Sequence, residues 1–286
     1  MKKHSILVLM ALLLVFGIVG CEDDDEIYDP VPATPQGVFS ITGDDAVYVF
    51  WNGPYESDLA GYIIWRSFEP YDNYVEVGRV SADANPDLDL LIYEFIDYNV
   101  TNGITYFYAV SAYDYAGQVS ALSAEDVFDT PRPEGEVALF DVFVDSTLSG
   151  FDLSNATVVQ YNSVAADVYV DRVDGIFYLN VVDVLTDLQD MGFTDNFNDI
   201  GWAPDDGWSE NGWAELILGH TYVIWTRDLH FAKMRVMALN SNSVMFQWAY
   251  QTDQDNQELK PALTAPQKPV HGPDYLDKNT VASSIR

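Results

Sequence analysis

Apolar and polar residues alternate in short runs along the first third of the chain. Val38–Ile41, Ala46–Trp51, Gly61–Arg66, Tyr74–Val80, Leu91–Ile96, Ile104–Tyr113 and Gln118–Val127 each read as a strand, with turn residues between them. Within Ala46–Trp51 the two-residue period predicts Val47, Val49 and Trp51 facing inward, alternating with Tyr48 and Phe50. Seven such runs in about 100 residues predict a two-sheet sandwich over residues 31–130. Pro30, Pro32 and Pro35 mark the approach to it, because proline cannot join a sheet interior.

Asp129–Gly135 reads as a linker by composition. Strand-like runs resume after it at Val137–Val144, Thr157–Tyr161, Ala165–Val170, Gly175–Asn180, His220–Thr226, His230–Leu239 and Ser243–Tyr250. One helix is predicted, over Val182–Met191, where Val182, Leu185, Leu188 and Met191 recur every third residue. The expected fold class is therefore all-β: a first sandwich, then a second, mainly antiparallel β domain over residues 131–259. Residues 260–286 hold four prolines and few large apolar side chains, and read as a mobile tail.

Residues 1–20 follow a different pattern. Lys2 and Lys3 precede an almost wholly apolar stretch from Ile6 to Val19, too short for an ordinary spanning helix. It ends Ile18-Val19-Gly20-Cys21, which resembles the lipobox of bacterial lipoproteins and implies a lipid on Cys21, the chain's single cysteine. The acidic residues 22–26 open a tether over 21–30, similar to the signal that exports some lipoproteins to the cell surface. Charge narrows the partners. Lys and Arg number 13 against 45 Asp and Glu, a net −32, which repels phosphate backbones and excludes nucleic acid. The remaining partners are the membrane, through the lipid anchor, and a protein, glycan or haem ligand.

Two further resemblances concern the β domains. Trp51, the run Asp58–Arg66, and Gly103–Asp114 with Tyr106 three residues after Gly103 resemble the fibronectin type III family. The resemblance implies a corner tyrosine at Tyr106 whose hydroxyl bonds backbone across the turn. The Arg-Gly-Asp adhesion motif is absent, and Tyr48, Tyr62, Tyr71 and Tyr74 are candidates for an exposed face. Residues 150–255 are similar to the HmuY-type haem-binding lipoproteins, most strongly in the hairpin Tyr222–Lys233 and the closing run Phe246–Gln251. That similarity implies fold more than haem, since no haem-ligating histidine aligns.

Candidate chemistry is sparse. Beyond residue 20 the histidines are His220, His230 and His271; His220 begins a predicted strand and His230 lies ten residues on, at the far end of the hairpin, about 20 Å away. The stretch 194–211 has no counterpart in the HmuY resemblance. Its Asp195, Asn198, Asp199, Asp205 and Asp206 supply the oxygen donors that calcium takes, or simply form Asx-turns. Trp202, Trp208 and Trp213 either stack on a sugar or flat cofactor, or pin the loop to its own domain. No nucleophile, zinc or phosphate-loop motif is present. The expectation is a lipid-anchored protein of the outer membrane or cell surface. It is without enzymatic activity and binds or displays a ligand through its second β domain, with haem capture as the alternative.

Overall fold

A computed structural model describes residues 30–84, 92–125 and 127–259. The leader, Cys21, the acidic tether, His271 and the tail lie outside the described residues. The first seven strands are β1 (Gln36–Gly43), β2 (Ala46–Asn52), β3 (Leu59–Ser67), β4 (Val75–Ser81), β5 (Ile92–Asp97), β6 (Tyr106–Asp114) and β7 (Val127–Asp129). They form two antiparallel sheets, ordered β1–β2–β5 and β4–β3–β6–β7.

Val47, Val49 and Trp51 are fully buried as the alternation predicts, while Tyr48 and Phe50 stay partly exposed. Trp51 packs against Tyr62 and Tyr93 of the facing and neighbouring strands, at ring distances of 5.3 and 5.9 Å. Tyr62 is thus a core residue and not part of an exposed tyrosine face. The Thr101 N–H donates to the Tyr106 hydroxyl at 3.1 Å, which is the expected corner contact. Strand order, central tryptophan and tyrosine corner together make this a fibronectin type III-like sandwich.

Gln118–Val127 is not one strand. Val119 makes a single bridge to Tyr113, and β7 begins only at Val127. Ser120 and Ser123 explain the break: their side-chain oxygens accept from the N–H groups of Ala112 and Val110, replacing carbonyls that a regular ladder would offer.

The second sandwich comprises β8 (Glu134–Phe140), β9 (Gly150–Asp152), β10 (Thr157–Val159), β11 (Val168–Val173), β12 (Ile176–Val181), β13 (Asp187–Phe193), β14 (Trp213–Glu215), β15 (His220–Trp225), β16 (Phe231–Leu239) and β17 (Ser243–Tyr250). Its two antiparallel sheets run β10–β9–β11–β12–β14 and β13–β15–β16–β17–β8. Phe151, Val170, Phe177 and Leu179 of the first meet Leu139, Tyr222, Met234 and Phe246 of the second in one core. The expected helix over Val182–Met191 is absent. Turn residues lead instead into β13, which pairs with β15 from Asp187 to Asp190. Leu188 reaches the core from a strand, so tertiary pairing overrides a spacing that weakly favours a helix.

The sandwiches are joined by Thr130–Pro133 alone, and this joint is buried rather than loose. Thr130 and Arg132 are each 1% exposed. The Arg132 N–H donates to the Gly43 carbonyl at 3.1 Å, and the Gly103 N–H donates to the Pro131 carbonyl at 2.8 Å. Gly103 has φ +81, and a Cβ there would meet the Thr252 hydroxyl at 2.5 Å. Glycine is therefore required on two counts: the backbone conformation and the close approach of the second sandwich.

Tyr106→Phe should lower the stability of the full-length protein by about 1 kcal/mol, since only one partly buried hydrogen bond is lost. An unchanged chemical-denaturation midpoint would show that the corner contact contributes nothing.

Candidate functional site

The two outward faces of the second sandwich differ in what covers them. On the β13–β15–β16 side, Val223, Trp225 and Phe231 point away from the main core. Ala203, Trp208 and Leu259 pack on them as a second small core. Trp208 lies 6.0 Å from Trp225 and 6.5 Å from Phe231 by ring centroid. Lys233 of β16 sits in this layer with no exposed surface. Its ammonium donates to the carbonyls of Phe197, Ile200 and Leu259 at 2.9, 3.0 and 3.1 Å, and it stands 4.3 Å over the Phe197 ring. Burial, then the Arg132 guanidinium, push the Lys233 pKa well below the ordinary lysine range, against the opposing pull of Glu134 and Asp199.

The proposed calcium donors are distributed along this covering loop. Asp199 closes a capping box on the short 3-10 helix Phe197–Asp199: its carboxylate accepts from the backbone of Asp195 and Asn196 and from the Asn196 amide. Asp205 accepts from Gln257 at 2.8 Å. Asp195 contributes its carbonyl to Arg235 at 3.3 Å. Asn198 donates its backbone N–H to the Asn196 side chain. Asp206 is exposed. Among the described residues no group of three or more His, Cys, Asp or Glu is placed to hold a metal ion. Hydrogen bonds and aromatic packing hold this loop against the sheet.

The three tryptophans separate. Trp208 pins the loop. Trp202, 55% exposed, bridges to Glu258, whose carboxylate accepts from Thr130 in the interdomain joint at 2.8 Å. Trp213 leaves this side altogether and forms the edge strand β14 of the other sheet. The two histidines stay apart: His220 opens β15 and contacts Asp190 at 3.0 Å, while His230 follows the far end of the strand and contacts the Gln251 carbonyl at 3.0 Å.

The opposite outward face, on β11–β12–β14, is open. Strand register places Tyr169, Asn180 and Trp213 in one row across it, and Asp171, Tyr178 and Glu215 in the next. Asp171, Val173, Tyr178, Asn180 and Trp213 line a depression of about 280 Å³. The rings of Tyr178 and Trp213 meet perpendicularly at 5.3 Å. Such a contact uses an edge of one ring and a face of the other; Trp213 is exposed and Tyr178 half-buried. The Asn180 amide donates to Asp171 Oδ1 at 3.0 Å. The Asn180 amide oxygen and Asp171 Oδ2 accept no hydrogen bond among the described residues. Burial and the Asp171 carboxylate raise the Tyr169 pKa, so its phenol stays a donor. Aromatic faces beside ordered polar groups in a shallow depression are the ingredients of a ligand surface. Of this set, only Trp213 stands out in the sequence. Tyr169, Asp171, Tyr178 and Asn180 are legible there as the outward set of two strands, once the inward Val168, Val170, Phe177 and Leu179 are assigned.

No protein-family model matches the chain. An amylopullulanase of Thermoanaerobacterium saccharolyticum is 33% identical over 152 residues, which is 53% of this chain and 11% of that enzyme. The amylopullulanase of Thermoanaerobacterium thermosulfurigenes is 30% identical over 137 residues, 48% of this chain and 7% of that enzyme. The chain thus spans about a tenth of the length of the curated relatives it matches. Among solved structures, an Fn3-like protein from Clostridium thermocellum aligns with TM-score 0.29 and 21% identity over 37% of this chain and all of its own. A β-1,2-glucanase from Parabacteroides distasonis aligns with TM-score 0.29 and 24% identity, over 36% of this chain and 14% of the enzyme. A DUF4466 family protein from Parabacteroides merdae aligns with TM-score 0.41 and 9% identity, over 77% of this chain and 95% of its own.

Lys233→Met should destabilise the protein by about 3 kcal/mol, because three carbonyls lose their donor. A urea midpoint within error of the parent would mean the loop is held by Trp208 packing alone. Asp167 directly precedes β11, and burial pushes its carboxyl up to about 6 from the ordinary 3.8. It accepts from the Leu153 N–H at 2.9 Å and lies 3.4 Å from Arg227. The folded state holds this proton where the unfolded chain has released it, so stability falls as pH rises between 3.8 and about 6. Asp167→Asn removes that fall. Its advantage over the parent should grow to about 3 kcal/mol by pH 7 and be near zero at pH 3.5. A pH-independent difference would contradict the assignment.

Proposed function

We propose that this chain is a non-catalytic carbohydrate-binding lipoprotein, displayed on the outer membrane or cell surface through Cys21. The type III-like sandwich is the spacer and the β11–β12–β14 face is the binding surface. The observation that carries this reading is the open face itself: Trp213 and Tyr178 offer ring faces beside the Asp171–Asn180 pair. Sugars present apolar C–H faces and rims of hydroxyls, and this combination matches both. The curated relatives support the same class. They are amylopullulanases, and a match to about a tenth of their length has the size of an accessory module, not of a whole enzyme. The surface placement is supported by the lipobox and the acidic tether of the sequence.

Cells expressing the protein should retain fluorescent polysaccharide from a mixed neutral panel and release no new reducing ends. Trp213→Ala and Cys21→Ser should each abolish retention, whereas Trp202→Ala should not. Accumulating reducing ends would overturn the non-catalytic assignment, and retention surviving Trp213→Ala would overturn the surface assigned to binding.

A further inference from the structure

We infer that the ligand of this face is a neutral oligosaccharide segment lying across the strands, along the row Tyr169–Asn180–Trp213, and that the face rejects acidic polysaccharides. The inference rests on the carbohydrate reading above and adds the ligand's charge, direction and length.

Direction and length follow from register. Tyr169 pairs with Asn180 on the neighbouring strand, and Asn180 pairs with Trp213 on the next. Adjacent strands lie about 4.8 Å apart, so the two aromatic residues of the row are roughly 10 Å apart. That is the length of a disaccharide, with an aromatic side chain for each sugar and the Asn180 amide between them. Trp213, 46% exposed, is the most open ring of the row. At the other end Tyr161 packs edge-on against Tyr169, with ring centroids 5.5 Å apart, and extends the aromatic line by one residue.

Charge follows from the second row. Asp171 and Glu215 flank Tyr178, and neither row carries a basic side chain. Arg172 is engaged elsewhere: its guanidinium donates to the carbonyls of Gly175 and Ser241 and lies over Phe177. Carboxylates accept well from sugar hydroxyls. A uronate on the ligand would instead face Asp171 or Glu215 without a counter-charge. Remote charges are screened over about 8 Å at physiological ionic strength, so these two local carboxylates dominate the discrimination.

Calorimetry on the full-length protein separates the possibilities, using maltotetraose, cellotetraose, mannotetraose and tetragalacturonate as probes. At least one neutral tetraose should bind, more tightly than its disaccharide. Trp213→Ala and Asn180→Ala should each weaken it by about tenfold or more, the scale of a lost anchor residue. Tetragalacturonate should not bind the parent, and should gain binding in Asp171→Asn/Glu215→Gln. Thermal melts of each variant confirm folding, and Trp213→Phe should keep most of the affinity. Tetragalacturonate binding the parent as tightly as any neutral probe, and losing it with Trp213, would overturn the inference while leaving the carbohydrate surface standing. Affinities that ignore Trp213 for every probe would remove the carbohydrate surface itself, and this inference with it.

Discussion

The Lys233 ammonium and its three carbonyl acceptors organise the second sandwich. An ammonium has three protons, and here each finds a backbone oxygen, from Phe197, Ile200 and Leu259. These acceptors come from two segments remote in sequence. A buried charge is tolerated only when it is satisfied in this way, so the loop and the 251–259 stretch are bound to the sheet together. Trp208 then packs on Trp225 and Phe231, and Arg235 holds Thr194 at the loop's start. One outward face is thereby closed, and the face of the opposite sheet is left exposed.

The same segments continue into the joint between the sandwiches. Glu258 lies one residue before Leu259, and its carboxylate accepts from Thr130. Thr130 in turn contacts Thr105 at 2.9 Å, beside the tyrosine corner. Arg132 and Pro131 are buried and bonded to the first sandwich, so the joint is closed by packing and hydrogen bonds.

Both aromatic sites of the second domain use similar residues to opposite ends. Trp208 buries its ring and stabilises the fold. Trp213 sits only a few residues on, but an edge strand carries it to the other sheet, where its ring stays open beside Tyr178. The acidic surface sharpens this difference. Asp199 has both oxygens engaged within its loop, whereas only one oxygen of Asp171 accepts a hydrogen bond among the described residues.

By itself the sequence determined the all-β class, the seven-strand first sandwich, its inward Val47, Val49 and Trp51, and the Tyr106 corner. These follow from local alternation and from turn residues close in sequence, which need no knowledge of distant partners. It also singled out the tryptophan-rich loop and left open whether its rings pin or bind. Tertiary structure separated the rings: Trp208 pins the loop, and Trp213 joins the exposed β11–β12–β14 face. It replaced a helix with β13, buried Tyr62, and turned a proline-rich linker into a closed joint. The reason is common to all of these. Each depends on which strand becomes a neighbour, as Asn180 does of Trp213, and pairing between residues so far apart in sequence leaves no periodic mark on either run.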